Sequence, residues 1–238
     1  MQAPYSEQVP PTRNRPQRAI VSWSAGKDSA LALQAALDQN LCQVVALLTT
    51  ISSPAGRVPM HGVRRALVEQ QAAALGLPLE VVTFGPDDSA TAYDAALRRA
   101  LSHWRRRGAH TVVCGDLFLE AVRRRREEKL ATAGWTALFP LWGRDPHELM
   151  AEFVRRGFRA ITTCVDTAVL GKEFLGRVID DRFVADLPPG VDPCGENGEY
   201  HTFVFDGPGF SRPVRFAIGA VESPDGRYFT CDLLPGPG

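Results

Sequence analysis

The sequence predicts an α/β protein, in which a parallel sheet with crossover helices is followed by a smaller α+β domain. From residue 19 to about residue 139, short β-branched or apolar runs alternate with stretches of helical periodicity. This alternation is typical of parallel strands joined by helices. After Pro140 the order changes, and two strand-like segments close the chain. We therefore expect a tail at residues 1–18, a first domain at 19–139 and a second at 140–238.

The first domain contains five predicted strands and four predicted helices. The helices begin near Asp28, Val63, Ser89 and Leu117. The third helix has the clearest amphipathic period, and Ser89 can cap it. Its apolar face consists of Tyr93, Leu97, Leu101 and Trp104. The strands are predicted at 19–23, 44–49, 79–84, 110–114 and 136–139.

The second domain opens with a well-marked helix. Asp145, Pro146 and Glu148 are an N-cap, a first-turn proline and a capping-box glutamate, and Gly157 ends the helix. Gly, Pro and Asp accumulate over 187–209, so we expect irregular structure there. Strands are predicted at 159–165, 213–220 and 227–233.

Composition excludes several functional classes. The 238 residues include 27 basic and 27 acidic side chains, so no overall positive charge draws the chain to nucleic acid. The five cysteines are scattered and form no CxxC pair, which indicates a reducing compartment and no zinc site. No apolar stretch is long enough to span a membrane, and the Pro- and Arg-rich tail lacks a signal-peptide core. We expect a soluble, cytoplasmic protein with a disordered tail.

Residues 22–29, Ser-Trp-Ser-Ala-Gly-Lys-Asp-Ser, have the composition of a phosphate-binding loop. Small residues between a strand and a helix let backbone N–H groups turn toward an anion, and the helix N-terminus favours negative charge. Lys27 adds a mobile positive charge. The loop is not a Walker A motif, because Asp28 stands where that motif needs Ser or Thr.

The loop resembles the PP-loop of the ATP pyrophosphatases, an adenine nucleotide alpha hydrolase-like, Rossmann-like superfamily. Ala25 replaces the first glycine of the usual Ser-Gly-Gly-Lys-Asp-Ser. The resemblance implies ATP and Mg²⁺ as cofactors, with the loop holding pyrophosphate while a substrate attacks the α-phosphorus. Asp28 has two interpretations, a favourable charge at the helix N-terminus or a Mg²⁺ contact. The nucleotide-binding residues implied by the loop are Ser24, Ala25, Gly26, Lys27, Asp28 and Ser29.

A second segment, residues 194–207, resembles the C-terminal signature of the diphthine–ammonia ligase family. Further resemblances to the same family occur at residues 60–62, 115–116, 141–145 and 170–172. The family resemblance implies an AMP-forming ligase that adenylates a carboxylate and transfers ammonia to it. The acceptor would be diphthine, another modified protein side chain or a different small carboxylate. No glutaminase-like motif is present, so free ammonium is the simpler nitrogen source.

The second segment contains several candidate catalytic residues. Glu196 and Glu199 flank a Gly-bearing turn that can point both carboxylates into one cavity, as a metal or ammonium site. The alternative is an acidic surface turn, and the family resemblance favours the site. His201 either orients substrate and moves a proton or is a structural histidine. The adjoining candidates for substrate contact are Gly198, Tyr200 and Thr202.

Other candidates lie near the expected carboxyl ends of the strands, where open parallel sheets bind their ligands. They are Thr49, Gly115 and Asp116 for the nucleotide. Glu120 and Arg123 share one side of a predicted helix, and we expect them to face substrate. The other arginines of 123–126 either form a solvated face, bind a phosphate-bearing or acidic partner or form a homo-oligomer surface. His61 either contacts adenine or substrate or belongs to a simple turn.

Two other functions stay open. A tRNA-modifying or thiolating enzyme of the same superfamily would usually need a paired catalytic cysteine or a basic RNA-binding appendage, and neither is evident. A non-catalytic ATP-binding sensor would not need the segment from Glu196 to His201. Tight ATP binding without turnover would favour the sensor.

Overall fold

The computed structural model describes residues 16–85 and 89–236. Most of the predicted tail at 1–18 therefore lies outside the described residues, and its disorder stays a prediction. Arg18 is an exception to the predicted boundary, because the first strand begins there.

The first sheet has five parallel strands in the order β3-β2-β1-β4-β5, which confirms the predicted α/β class. The chain proceeds outward from β1 to β3 and then returns to the other side of β1 for β4. The carboxyl ends of β1 and β4 therefore flank a topological switch point, where such sheets bind ligands. The strands are β1 Arg18–Ser22, β2 Gln43–Ser52, β3 Leu79–Phe84, β4 Ala109–Val113 and β5 Thr136–Leu138.

Four crossover helices connect these strands: α1 Lys27–Asp38, α2 Arg65–Leu75, α3 Ala90–Arg105 and α4 Glu120–Thr132. Ser89 caps α3 as predicted, since its Oγ accepts a hydrogen bond from Ala92 N at 3.1 Å. Leu101 and Trp104 are buried on the face of α3 that packs against the sheet. The amphipathic period therefore identified both the helix and its orientation.

The second half contains helix α5 Pro146–Arg155, a 3₁₀ turn at Lys172–Phe174 and helix α6 Asp181–Asp186. Asp145 caps α5 by accepting a hydrogen bond from Glu148 N at 3.0 Å, as the capping-box pattern predicted. An antiparallel sheet has the order β7-β6-β9-β8. Its strands are β6 Arg159–Asp166, β7 Tyr200–Asp206, β8 Phe216–Glu222 and β9 Tyr228–Pro235.

Strand β7 corrects the sequence analysis, which treated residues 187–209 as irregular. Tyr200 and the run 202–205 are buried, so β7 lacks the alternation of buried and exposed residues that marks a half-exposed strand. The glycines and prolines on either side also hid it. This strand matters because it lies against the loop between β1 and α1.

One buried apolar cluster contains residues of both sheets, including Val21, Leu67, Phe153, Phe203 and Leu233. The two sheets fall on either side of the predicted division near residue 140, but the core is shared between them. Two separate domains therefore stay a prediction. Within 16–85 and 89–236, no helix combines the length and apolarity that crossing a membrane requires.

Candidate active site

The loop between β1 and α1 forms a compact turn at the switch point. Ser24 Oγ accepts a hydrogen bond from Gly26 N at 3.3 Å, and Ser29 Oγ donates to Gly26 O at 2.8 Å. Ala25 has a φ of 69°, the left-handed conformation that glycine adopts most easily. An L-residue at such an angle costs roughly 1–2 kcal/mol. Ala25 therefore holds this loop conformation at a cost in backbone strain.

The loop is held from behind by β7 and α2. Val204 N donates to Ala25 O at 2.9 Å, and Lys27 N donates to Thr202 Oγ1 at 3.0 Å. Gln71, fully buried on α2, donates to the same Ala25 O at 3.0 Å and accepts from Trp23 Nε1 at 2.8 Å. These contacts fix the backbone before any ligand arrives.

Gln71 was not among the predicted site residues. A signal for it exists in the sequence, because Gln71 interrupts the apolar stripe that Leu67, Val68, Ala72 and Ala74 form on α2. A polar side chain on a buried helix face needs hydrogen-bond partners. The sequence alone does not identify those partners.

Lys27 lies beneath this loop and is only 2% exposed. Its Nζ is 2.9 Å from both carboxylate oxygens of Asp28 and 5.1 Å from the centre of the Tyr200 ring. Burial, the largest single effect, lowers the pKa of Lys27, but the charge and hydrogen bond of Asp28 together with the neighbouring Tyr200 and Cys194 outweigh it and raise the pKa above its ordinary value. Lys27 therefore stays positively charged, as a phosphate ligand must.

A polar cavity of about 200 Å³ opens in front of the loop. It brings together predicted residues from four separate segments of the chain. The predicted residues that line it are Ser24, Lys27, Asp28, Ser29, His61, Gly115, Asp116, Glu196, Tyr200, His201 and Thr202. Ala25 and Gly26 belong to the adjoining loop but do not line the cavity.

Two glycines allow this close assembly. A Cβ on Gly115 would lie 2.7 Å from the backbone oxygen of Asp28, so the end of β4 could not approach the start of α1. A Cβ on Gly26 would lie 2.6 Å from His61 Cε1. Both glycines are thus required by packing within the protein.

Glu196 is the carboxylate of the C-terminal segment that lines the cavity. Its Oε1 accepts a hydrogen bond from Leu117 N at 2.9 Å. Burial raises the pKa of Glu196 from 4.5 to about 7, opposed by the Leu117 hydrogen bond and assisted by the negative charges of Asp28 and Asp116. Glu196 can therefore gain or lose a proton near neutral pH.

Glu199 is oriented differently from Glu196. Its Oε1 accepts hydrogen bonds from Asp192 N at 3.1 Å and Asn197 Nδ2 at 3.0 Å, and it does not line the cavity. The expectation that both carboxylates point into one cavity is therefore wrong, because the polar groups of its own loop bind Glu199. Asp192, which the sequence analysis missed, also shapes this loop by accepting from Glu196 N at 2.6 Å.

Two histidines form one wall of the cavity. The rings of His61 and His201 are 4.7 Å apart, and His61 Nδ1 donates to Thr202 O across 2.9 Å. Burial lowers the pKa of His61 to about 4 and that of His201 well below its usual value. Both rings are therefore neutral at physiological pH.

A larger cavity of about 640 Å³ adjoins the first. Its walls are the carboxyl ends of β1, β2 and β4 together with α3 and α4. Strand alternation places Thr50 on this wall, whereas Thr49 is buried outside both cavities. The apolar lining of this larger cavity includes Trp23, Leu48, Val58, Pro59, Phe84, Tyr93, Leu97 and Val112.

The predicted substrate residues of α4 lie outside both cavities. Arg123 packs its guanidinium 4.6 Å from the Trp142 ring centre and pairs with Glu127 at 2.8 Å. Glu120 is exposed at the start of the helix. Arg126, one turn further along, lines both cavities instead. Gly198 also lies outside the cavities, at a φ of 93° in the Glu199 loop.

Among residues 16–85 and 89–236, no group of three or more His, Cys, Asp or Glu side chains could hold a metal ion. Mg²⁺ needs fewer protein ligands, because it is usually bound by one or two carboxylates together with substrate phosphates. Asp28 and Asp116 line the polar cavity and fit that role.

A parallel sheet with a preorganised, lysine-bearing anion loop at its switch point defines an α/β nucleotide-binding protein with a PP-loop fold. Comparison with known proteins narrows the class. Residues 17–134 match the family model of the diphthamide synthase N-terminal domain, and residues 145–223 match that of the diphthamide synthase C-terminal domain. The chain therefore belongs to the diphthine–ammonia ligase family.

A curated relative, the diphthine–ammonia ligase of Schizosaccharomyces pombe, is 31% identical over 107 residues. The match covers 43% of this chain and 18% of the relative.

Proposed function

We propose that the protein is an ATP-dependent, AMP-forming ligase that joins ammonia to a carboxylate. The observation that carries this proposal is one polar cavity lined by the charged, buried Lys27 of a hydrogen-bonded loop, by Glu196 and by two neutral histidines. The family membership supports the same reaction class. The acceptor is diphthine, as in the name of the relative, or another carboxylate on a small molecule or protein.

The two cavities suit the two ends of ATP. The larger, mostly apolar cavity suits the nucleoside, and the smaller polar cavity suits the phosphates. Lys27 and the N-terminus of α1 would hold the β- and γ-phosphates. Mg²⁺, held by Asp28 and Asp116, would neutralise phosphate charge.

The reaction has two balanced steps. A carboxylate oxygen of the acceptor attacks the α-phosphorus, the bond to the β-bridging oxygen breaks, and pyrophosphate leaves with the electron pair. Ammonia then attacks the acyl carbon, the carbon–oxygen bond to AMP breaks, and the nitrogen loses one proton. Adenylation is needed because a free carboxylate has only oxide as its leaving group.

The residues facing the cavity supply groups for the second step. Glu196 has a pKa near neutrality and can take the proton that the nitrogen loses as the amide forms. His201 is neutral and lies beside His61, so it can orient the acceptor without placing a second cation beside Lys27.

The cysteines support the ligase over a thiolating enzyme. All five are free and buried. Burial raises the pKa of Cys114 to about 12 and also raises the pKa of Cys194. Buried thiols with raised pKa values are poor nucleophiles.

The proposed function is tested by identifying the nucleotide product. The protein is incubated with ATP, Mg²⁺, ammonium and an extract of its source cell, and the nucleotides are separated. AMP and pyrophosphate that depend on both extract and ammonium would support the proposal. ADP would contradict the mechanism, and tight ATP binding without turnover would favour a sensor.

The titration of Glu196 predicts a pH dependence of stability in the nucleotide-free protein. The folded state binds the Glu196 proton more tightly than the unfolded state does, so ionisation of this group destabilises the fold as pH rises from about 4.5 to about 7. Glu196→Gln removes this pH-dependent contribution to the stability of the fold. We expect the stability of the variant, relative to the unmodified protein, to increase across that pH range.

The measurement is urea unfolding at several pH values with EDTA present, so that bound metal does not alter the titration. His61 and His201 are present in both proteins, and their effects cancel in the difference. Glu120→Gln, an exposed change, is the control. A stability difference that is independent of pH would show that Glu196 does not titrate as described.

A further inference from the structure

Three residues line both the polar cavity and the larger cavity: Ser22, Ser24 and Arg126. The two serines belong to β1 and the loop that follows it. Arg126 reaches the same place from α4, on the other side of the switch point. These three residues therefore mark the junction of the two cavities, and Arg126 is the cation among them.

Asp116 fixes the position of Arg126. The Nε of Arg126 lies 2.9 Å from the Asp116 carboxylate, and Asp116 is only 8% exposed. The Arg126 guanidinium uses only Nε in this pair. Among the described residues, nothing accepts a hydrogen bond from its two terminal nitrogens, so four N–H donors remain for a ligand.

We propose that Arg126 binds the α-phosphate of ATP at this junction and stabilises its negative charge during adenylation. The inference rests on the proposed function. If the nucleoside occupies the larger cavity and the terminal phosphates occupy the polar one, covalent connectivity places the α-phosphate between them. A planar guanidinium can contact two oxygens of that phosphate at once.

The role differs from that of Lys27. Lys27 lies at the pyrophosphate end, beneath the loop. Arg126 lies where the acceptor oxygen must attack and where charge accumulates on the α-phosphate oxygens. Because Asp116 already holds the guanidinium in place, little reorganisation is needed when ATP binds.

The test measures binding, so it does not require the acceptor. Calorimetry is used with three separate probes, which are adenosine, AMP and pyrophosphate. For Arg126→Gln we expect the affinity for AMP to fall about 10- to 100-fold, the usual effect of losing charge-assisted hydrogen bonds. Adenosine affinity should change less than about twofold, and pyrophosphate affinity less than about threefold.

Two further variants make the result interpretable. Arg124→Gln changes an exposed arginine of the same helix outside both cavities and should leave all three affinities unchanged. Since Arg126→Gln leaves Asp116 buried without its cation, the double variant Asp116→Asn with Arg126→Gln restores a neutral pair. The double variant should show the same selective loss of AMP affinity.

Equal losses for adenosine and AMP would overturn the proposal, because Arg126 would then only shape the nucleoside cavity. Unchanged AMP affinity would also overturn it. If the unmodified protein bound neither adenosine nor AMP, the result would contradict the proposed function itself. The proposed role of Arg126 would then be wrong as well, because it rests on that function.

Discussion

Replacing Lys27 with alanine is expected to lower the formation of AMP about 10²- to 10³-fold, the scale for losing one preorganised charge-stabilising group. Lys27 is the buried cation of the polar cavity, and its charge is maintained by Asp28 at 2.9 Å. The loop should keep its shape, because Lys27 N and Ala25 O make the bonds to β7 and alanine retains both backbone groups.

The measurement is AMP released per protein molecule in the extract assay, together with pyrophosphate affinity by calorimetry. Lys172→Ala is the matched control, since the Lys172 ammonium lies 3.7 Å from the Phe229 ring centre and outside both cavities. Unchanged AMP formation in a folded Lys27→Ala protein would contradict the proposal that the loop at 22–29 binds phosphate.

Gln71→Leu is expected to lower the free energy of unfolding by about 2–4 kcal/mol, as several buried polar groups lose a partner. The substitution keeps a similar volume but removes the hydrogen bonds to Ala25 O, Val204 O and Trp23 Nε1. The loop loses its support from α2, so nucleotide affinity should fall as well.

Urea unfolding measures the loss of stability, and calorimetry with AMP measures the loss of nucleotide affinity. Gln70→Leu is the control, because Gln70 is the preceding residue of α2 and makes none of these hydrogen bonds. A loss of stability no larger than that of Gln70→Leu would mean that the Gln71 network contributes little.

Much of the fold could be predicted because its signals are local. The cap formed by Asp145, the cap formed by Ser89 and the strand at Leu79–Phe84 follow from a few neighbouring residues. Strand β7 could not be predicted in the same way. Its partners are β6 and the loop at Ala25, which are distant in sequence, and its burial comes from them.

The candidate site shows the same difference between features with local signals and features that depend on tertiary contacts. By itself, the sequence determined the α/β class, from the alternation of strand and helix patterns over 19–139, and the loop at 22–29 and the family, from short motifs. Each of these signals is carried by neighbouring residues whose backbone and charge requirements are local. Only the tertiary structure decided that Glu196 faces the cavity while Glu199 turns into its own loop, and that Arg126 rather than Arg123 reaches the site. Side-chain direction depends on the rotation of a helix and on polar groups brought close by packing. Spacing along the chain does not specify either.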